Sequence, residues 1–372
     1  EQWILPARVD GFGAAALDEL GALGEIVWIA QRGPGGAGGG EARVALYRRD
    51  RVRALADTAA LPETAPPLQR ALLEHLQARG ASFFAQLGHA AAGATSDEIL
   101  AALWELVWAG LVTNDTFQPL RAQAALRRAG PRPSARLLAA QAAGRWSAVS
   151  ALTQPAPPDT ARAHARALAL LDRHGVVSRE AADGVAGGFA SLLPVLRAME
   201  EAGKIRRGFF VEGLTGAQFA LPGAVDRLRA AREPGDEDPP VLALAAVDPA
   251  NAYGALLPWP APPAASASKL PAPRRVAGAR IVLVGGALAF FVDRGAHSLR
   301  LYTDDPAAIA AGTSGLRLCA ARRRPGHLRV ETIDGTPALR SPWLPALRAA
   351  GFRLEPGAIV LDSQPMIASV DR

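Results

Sequence analysis

The 372-residue sequence lacks the residue patterns that build disulfides, metal sites and membrane spans. Its single cysteine, Cys319, excludes a disulfide within the chain and a metal site built on several cysteines. The histidines show no H-x-x-x-H or H-E-x-x-H spacing, so the sequence predicts no metal site. No run of 18 uncharged apolar residues occurs. We therefore expect a soluble, cytoplasmic protein without membrane contact, cut from a longer chain because it opens inside a domain.

Lysine is also scarce, since Lys204 and Lys269 are the only two. Arginine therefore carries nearly all of the positive charge, and the formal net charge is +6. A planar guanidinium group binds phosphate oxygens bidentately, which favours a polyanionic partner. Arginine- and alanine-rich composition also arises from GC-rich coding, but the arginines here cluster at turns. The hydrophobic content of 49% is enough for several domains, each with its own core.

One pattern occurs three times along the chain. When Gly24, Gly110 and Gly203 are aligned, each follows a helix with an apolar face and precedes an apolar segment of strand type. Glycine at the end of a helix commonly adopts the left-handed conformation. The spacing predicts tandem modules. Three helices followed by a two-stranded wing is the winged-helix pattern, which we assign to residues 66–150 and 158–232, with a partial copy, its last helix and wing, at 1–50.

The last module ends in "RAMEEAGKIRRGFF", which places basic and aromatic residues at the start of a wing. In a winged helix the third helix enters the major groove and the wing touches the backbone. We therefore predict that Lys204, Arg206 and Arg207 contact phosphates. Phe209 and Phe210 are expected to point to opposite faces of the strand, so that one lies in the core and the other packs under the wing or stacks on a base, for which Phe210 is the candidate. In the alternative interpretation both aromatic residues are buried and the arginines are solvated charges on an edge strand.

Further nucleic-acid contacts are predicted outside this wing. Trp146 adjoins Arg145 in a connecting segment, where it either binds nucleic acid or belongs to a strand that closes the middle wing. Asn114 follows the third helix of the middle module. Arg322 and Arg323 lie in a basic turn, "ARRRPGH", which either binds phosphate or remains solvated.

Beyond residue 240 the composition changes from helical to β-rich. A charged linker at 232–240 precedes the region 241–372, which contains a proline-rich linker at 258–275. Hairpin turns are predicted at Gly285 with Gly286 and at Asp334 with Gly335. We expect a small, mostly-β domain, either a barrel or an open sheet, with one or two helices, and hence an α+β chain overall.

Several blocks of the chain together resemble the C-terminal region of the large helicase-related (Lhr) proteins, which are bacterial superfamily 2 helicases. They include "ALWELVWAGLVTNDTFQPLRA", "LLDRHGVVSREAA" and "DPANAYGALLPWP". The resemblance implies a tandem winged-helix array and a β domain attached to an ATP-driven motor, with ATP and Mg as cofactors of the full-length protein. It also implies a role in DNA repair and a fold similar to winged-helix alkylpurine DNA glycosylases. The partners it implies are single-stranded or forked DNA, an RNA–DNA hybrid, the motor domains of the same chain and a homo-oligomer.

The chain departs from these relatives in its catalytic motifs. No G-x-x-x-x-G-K-[ST] motif is present, so we expect this fragment to need no cofactor and to hydrolyse no ATP. The Gln-x-Gln or Gln-x-Asp signature of the glycosylases is also missing. Base excision usually needs a carboxylate, for which Asp248 and Asp362 are the candidates. An Asx turn before a proline and a polar strand end are the structural alternatives for these two residues.

Three functions from different classes remain open on the sequence alone. The first is the nucleic-acid-binding region of an Lhr-type DNA helicase. The second is a DNA glycosylase acting on uracil or an alkylated base, so whether this fragment is itself an enzyme stays undecided. The third is a scaffold through which modules or subunits assemble.

Overall fold

The computed structural model describes residues 4–6, 8–32, 42–57, 59–91, 93–126, 134–232, 238–263, 270–321 and 326–363. The chain divides into two compact units, one of residues 5–175 and 184–205 and the other of residues 2–4, 176–183 and 206–372. Among the helices in these ranges, none has the length and apolar character needed to cross a membrane.

The elements of the first unit follow in chain order. They are α1 (Ala14–Ala22), β1 (Ile26–Arg32), β2 (Ala42–Arg48), α2 (Val52–Leu55), α3 (Pro67–Arg79), β3 (Ser82–Phe83), α4 (Phe84–Ala90), α5 (Ser96–Trp108), β4 (Val112–Asn114), α6 (Gln118–Leu126), α7 (Ala135–Ala140), β5 (Arg145–Ala148), α8 (Ser150–Thr153) and α9 (Asp159–His174). The strand β6 (Val176–Val177) and a 3₁₀ turn (Glu180–Ala182), both in the second unit, come next, and α10 (Gly188–Glu201) then completes the first unit.

The rest of the chain belongs to the second unit. Its elements are β7 (Arg206–Gly208), β8 (Gln218–Ala220), α11 (Ala224–Arg232), β9 (Val241–Ala245), β10 (Arg280–Val284), β11 (Ala287–Val292), β12 (Ser298–Leu301), α12 (Pro306–Ala321), β13 (His327–Val330), β14 (Thr332–Ile333), β15 (Thr336–Pro337), a 3₁₀ turn (Ala338–Arg340), α13 (Leu344–Ala349), β16 (Arg353–Glu355) and β17 (Ala358–Asp362).

The first hairpin and the middle module share one hydrophobic core. Trp28 on β1 is buried with the leucines of α3 and α5, and its indole N–H donates to the Thr116 carbonyl at 2.9 Å. The carboxylate of Asp18 on α1 accepts from the Phe117 backbone N–H at 2.7 Å and pairs with Arg121. These contacts fix the partial first module against its neighbour.

The middle module has three strands in the sheet order β3-β5-β4. The last two strands are not joined by a wing loop, because α6 and α7 lie between β4 and β5. Helix α5 is capped by Thr95, whose hydroxyl accepts from the Glu98 N–H, while the Glu98 carboxylate accepts from the Thr95 N–H at 2.8 Å. The Thr95 hydroxyl also donates to that carboxylate at 2.8 Å, and the backbone and hydroxyl bonds from Thr95 together lower the pKa of Glu98. The helix thus begins at Ser96, with Thr95 as its N-cap.

The segment around α2 is held to helix α9 by ionic contacts. The carboxylate of Asp57 pairs with Arg166 at 2.5 Å and with Arg162 at 3.6 Å, and both arginine side chains are largely buried. Arg162 also donates to the Ala56 carbonyl at 2.9 Å. Burial, followed by the charge of Asp57, raises the pKa of Tyr47.

The last module repeats the sheet order of the middle one and, apart from the inserted α6 and α7, its element order as well. Helix, strand, short helical turn, helix and two strands follow one another, and the strands are ordered β6-β8-β7. Here β7 and β8 are joined directly, so this copy has a wing loop at residues 209–217. The three glycines that align the repeats, Gly24, Gly110 and Gly203, have φ of 74°, 75° and 68°, as the left-handed helix ends predict.

The C-terminal region is built on an open sheet and not on a barrel. Six strands lie in the order β15-β14-β12-β11-β10-β9, and a second sheet has the order β13-β17-β16. Helix α12 packs against strands of both sheets. Gly315 allows the close approach, since a Cβ there would lie 2.6 Å from Val282 Cγ1. The hairpins at Gly285 with Gly286 and at Asp334 with Gly335 form as predicted.

Candidate nucleic-acid interface

The wing of the last module presents two arginines on an edge strand. Because the sheet order is β6-β8-β7, β7 pairs on one side only, with Arg206 opposite Ala220 and Arg207 opposite Phe219. Both arginine side chains are exposed. Lys204 precedes the strand by two residues in the sequence and is exposed as well. Three cations therefore reach solvent within four residues of chain.

The two aromatic residues that follow differ in exposure. Phe209 is 89% exposed, whereas Phe210 is partly buried. The Phe210 ring covers Gly208, where an added Cβ would lie 3.1 Å from Phe210 Cζ. Strand β7 ends at Gly208, so both aromatic residues belong to the loop. The sequence assigned base stacking to Phe210, but Phe209 is the more exposed of the two rings.

The wing loop is held by a buried amide at the start of β8. Gln218 has no exposed surface. Its Oε1 accepts from the backbone N–H groups of Phe210 at 3.0 Å and Val211 at 2.9 Å. Its Nε2 donates to the carbonyls of Val211 at 3.0 Å and Leu214 at 3.4 Å. One side chain thus satisfies four backbone groups of the loop and fixes the segment that carries Phe209.

A cavity of about 520 Å³ lies beside this loop. Helix α11 contributes Leu228 and Arg229 to its wall, and Leu228 is 39% exposed. The loop contributes both phenylalanines and Glu212, the acidic member of the lining. The wing therefore combines an apolar surface with a basic edge.

Two of the three residues of the middle module that the sequence predicts to contact nucleic acid are buried inside the protein. Trp146 is completely buried in β5 and packs edge-to-face on Trp104 with ring centroids 5.8 Å apart. Asn114 is buried, donates to the Ala143 carbonyl at 2.9 Å and accepts from the Thr116 N–H at 2.9 Å. Neither side chain is available to nucleic acid in this conformation, because Trp146 belongs to the strand that closes the module and Asn114 forms an Asx turn.

Arg145 is the exposed member of this group. Its side chain is half-exposed, and its Nε donates to the Asp115 carboxylate at 2.6 Å. The same carboxylate accepts from the Arg145 backbone N–H at 2.7 Å. Both residues line a cavity of about 200 Å³ that Asn114 and Arg49 also border. Arg145 therefore faces solvent with part of its charge already neutralised.

The two candidate catalytic carboxylates have structural partners. Asp248 is 2% exposed and accepts from the Ala250 N–H at 2.8 Å, which is the Asx turn. Burial lowers the pKa of the neighbouring Arg275, and the charge of Asp248 opposes that shift. Asp362 ends β17 and pairs with Arg353 Nε at 3.1 Å. Arg322 and Arg323 lie outside the described residues.

No metal centre is indicated in the part of the chain that the structure describes. Groups of three or more histidine, cysteine, aspartate or glutamate side chains with suitable geometry are absent from those ranges. Cys319 lies on α12 and is buried in the core.

The repeated order of helices and strands, with the third strand between the first and second, defines a tandem winged-helix protein. Residues 156–240 match a family model described as a winged-helix domain of the large helicase-related protein, and residues 1–49 match a second such model. The chain belongs to the Lhr family and corresponds to the C-terminal region of its members.

Two relatives align with nearly the whole chain. One is an Lhr helicase and probable uracil glycosylase of Mycolicibacterium smegmatis, which is 40% identical in an alignment of 380 positions that spans 94% of this chain. The other is an Lhr helicase and uracil glycosylase of Escherichia coli, which is 34% identical in an alignment of 388 positions that spans 96% of this chain. In both cases the aligned part is 24% of the relative, so the chain spans about a quarter of their length.

Proposed function

We propose that this chain is the nucleic-acid-binding region of an Lhr-type DNA helicase that acts in DNA repair. Its wing would hold the backbone of single-stranded or forked DNA while motor domains elsewhere in the full-length protein hydrolyse ATP with Mg. The supporting observation is the basic edge of the last module, where Arg206 and Arg207 lie exposed on an edge strand. Backbone contacts of this kind give salt-sensitive affinity with little sequence preference.

The experiment is a salt titration of oligonucleotide binding to the intact chain. Each phosphate contact contributes about 0.7 to the slope of log affinity against log salt on a single strand. Replacing Arg206 and Arg207 with alanine is therefore expected to reduce that slope by about 1.4. Arg294→Ala with Arg340→Ala removes the same charge from exposed positions in the C-terminal region and serves as the control. An equal slope for both double variants would contradict the proposal.

The second candidate is a DNA glycosylase, because the names of both relatives include uracil glycosylase. Asp248 and Asp362 are the carboxylates proposed from the sequence, and each makes a contact typical of a structural role: Asp248 accepts from the Ala250 N–H, and Asp362 pairs with Arg353. Incubating the chain with uracil-containing DNA, followed by alkali, would reveal excision as strand breaks. Loss of breaks in Asp248→Asn or Asp362→Asn would support those residues. Excision that survives both changes would assign the carboxylate elsewhere, with Asp115 at its cavity the next to test.

The third candidate, an assembly scaffold, is separated from the first by native mass determination. If the chain is a DNA-binding region, its native mass increases by that of one oligonucleotide when DNA is added. A scaffold assembles into a homo-oligomer without DNA, and the Arg206 and Arg207 double variant leaves that mass unchanged.

A further inference from the structure

The most exposed large apolar side chain of the described surface is Phe209, at 89%. An isolated exposed leucine or valine is ordinary on a protein surface. Phe209 differs because it projects from a loop whose backbone is fixed by Gln218, and only Gly208 separates it from two exposed arginines. A rigid aromatic ring next to cations is the arrangement that binds single-stranded nucleic acid, with bases on the ring and phosphates on the charges.

We infer that Phe209 stacks on an unpaired base and gives the wing a preference for single-stranded or unpaired nucleic acid over duplex. The inference rests on the proposed function, since it takes the wing as a surface that binds nucleic acid. It adds a residue and a strand preference that phosphate contacts alone do not supply. In a duplex the faces of the bases are stacked on one another, so the ring finds no partner there.

The geometry of the loop favours a base as the occupant. The cavity of about 520 Å³ beside Phe209 is also lined by Phe210 and Arg229. Charge complementarity argues for a polyanion, because Lys204, Arg206 and Arg207 are opposed in residues 204–212 by Glu212 alone. The backbone hydrogen bonds to Gln218 order the loop in advance, which reduces the entropy lost when a base binds.

The test measures binding of the intact chain to a single-stranded oligonucleotide carrying 2-aminopurine and to the duplex of the same sequence. Phe209→Ala is expected to weaken single-strand binding about tenfold and duplex binding less than about twofold, with the salt slope unchanged. Phe209→Trp is expected to retain affinity and to quench 2-aminopurine fluorescence. Because Phe209 is exposed, these changes leave the fold intact. Leu318→Ala, another exposed apolar residue at 57%, is the matched control.

Each outcome separates this inference from the proposed function. Equal loss on single strand and duplex, or no loss on either, would overturn the stacking role. If the Arg206 and Arg207 variant keeps its salt slope while Phe209→Ala weakens single-strand binding more than duplex binding, the proposed backbone contact of the arginines fails and the stacking role stands. If Phe209→Ala leaves DNA binding unchanged but alters the native mass, the ring contacts protein and the inference is refuted.

Discussion

Gln218 is the residue whose replacement tests most sharply how the wing loop is held. Its amide makes four hydrogen bonds to the loop backbone. A hydrogen bond contributes about 1 kcal/mol net, and the bonded groups are only partly buried, so water replaces about half of that on removal. Adding the packing lost with the side chain, we expect Gln218→Ala to destabilise the closed loop by about 2–3 kcal/mol.

Native-state amide hydrogen exchange reads this number directly. The N–H groups of Phe210 and Val211, which donate to Gln218, are expected to lose protection by about 30- to 150-fold. Gln218→Met is the matched control, because it keeps the length of the side chain and removes the hydrogen bonds. It should therefore reproduce most of the loss. Unchanged protection in Gln218→Met would refute the argument that these four bonds hold the loop.

Three further changes test other parts of the fold. In urea denaturation, Gly315→Ala should lower the free energy of unfolding by about 1–2 kcal/mol, because overpacking against the buried Val282 outweighs the gain in helix propensity. The control is Ser314→Ala at an exposed position of the same helix, which should change this free energy by less than about 0.5 kcal/mol. Burial, and then the charge of Arg173, lowers the pKa of His174, so its contribution to stability is present above the unfolded pKa of about 6.5 and is lost as pH falls toward the folded pKa; His174→Gln should remove that part of the pH dependence. Asp57→Asn should lower the pKa of Tyr47 toward its ordinary value, because the nearby carboxylate is one of the groups that raise it, and an unchanged ultraviolet titration would contradict this.

The sequence predicts the repeated parts of the fold well because their physical signals are local. A helix with an apolar face that ends in a glycine is readable from a short window, and the three aligned glycines adopt the expected conformation. The hairpin turns at Gly285 with Gly286 and at Asp334 with Gly335 form for the same reason. These elements depend on neighbours in the chain rather than on the tertiary structure.

Features that depend on tertiary packing were not predicted. Helix α12 is rich in alanine and carries two glycines. Because its buried residues do not form one apolar stripe in the sequence, no clear amphipathic pattern predicts it. The exposure of Phe209 rather than Phe210 depends on where β7 ends, which the alternation of strand residues does not reveal. The role of Gln218 depends on a loop that folds back over it. A polar residue between apolar neighbours in "GAQFA" is the one local signal that could have indicated a buried amide.

Charge reversal of the wing tests the central claim most directly. We predict that Arg206→Glu with Arg207→Glu weakens binding of the intact chain to a single-stranded oligonucleotide at low salt by about 100-fold or more, measured by fluorescence anisotropy. The same reversal at Arg294 and Arg340 is predicted to cost less than about tenfold, because it changes only the net charge. Equal losses for the two variants would contradict the assignment of the wing as the surface that contacts the backbone.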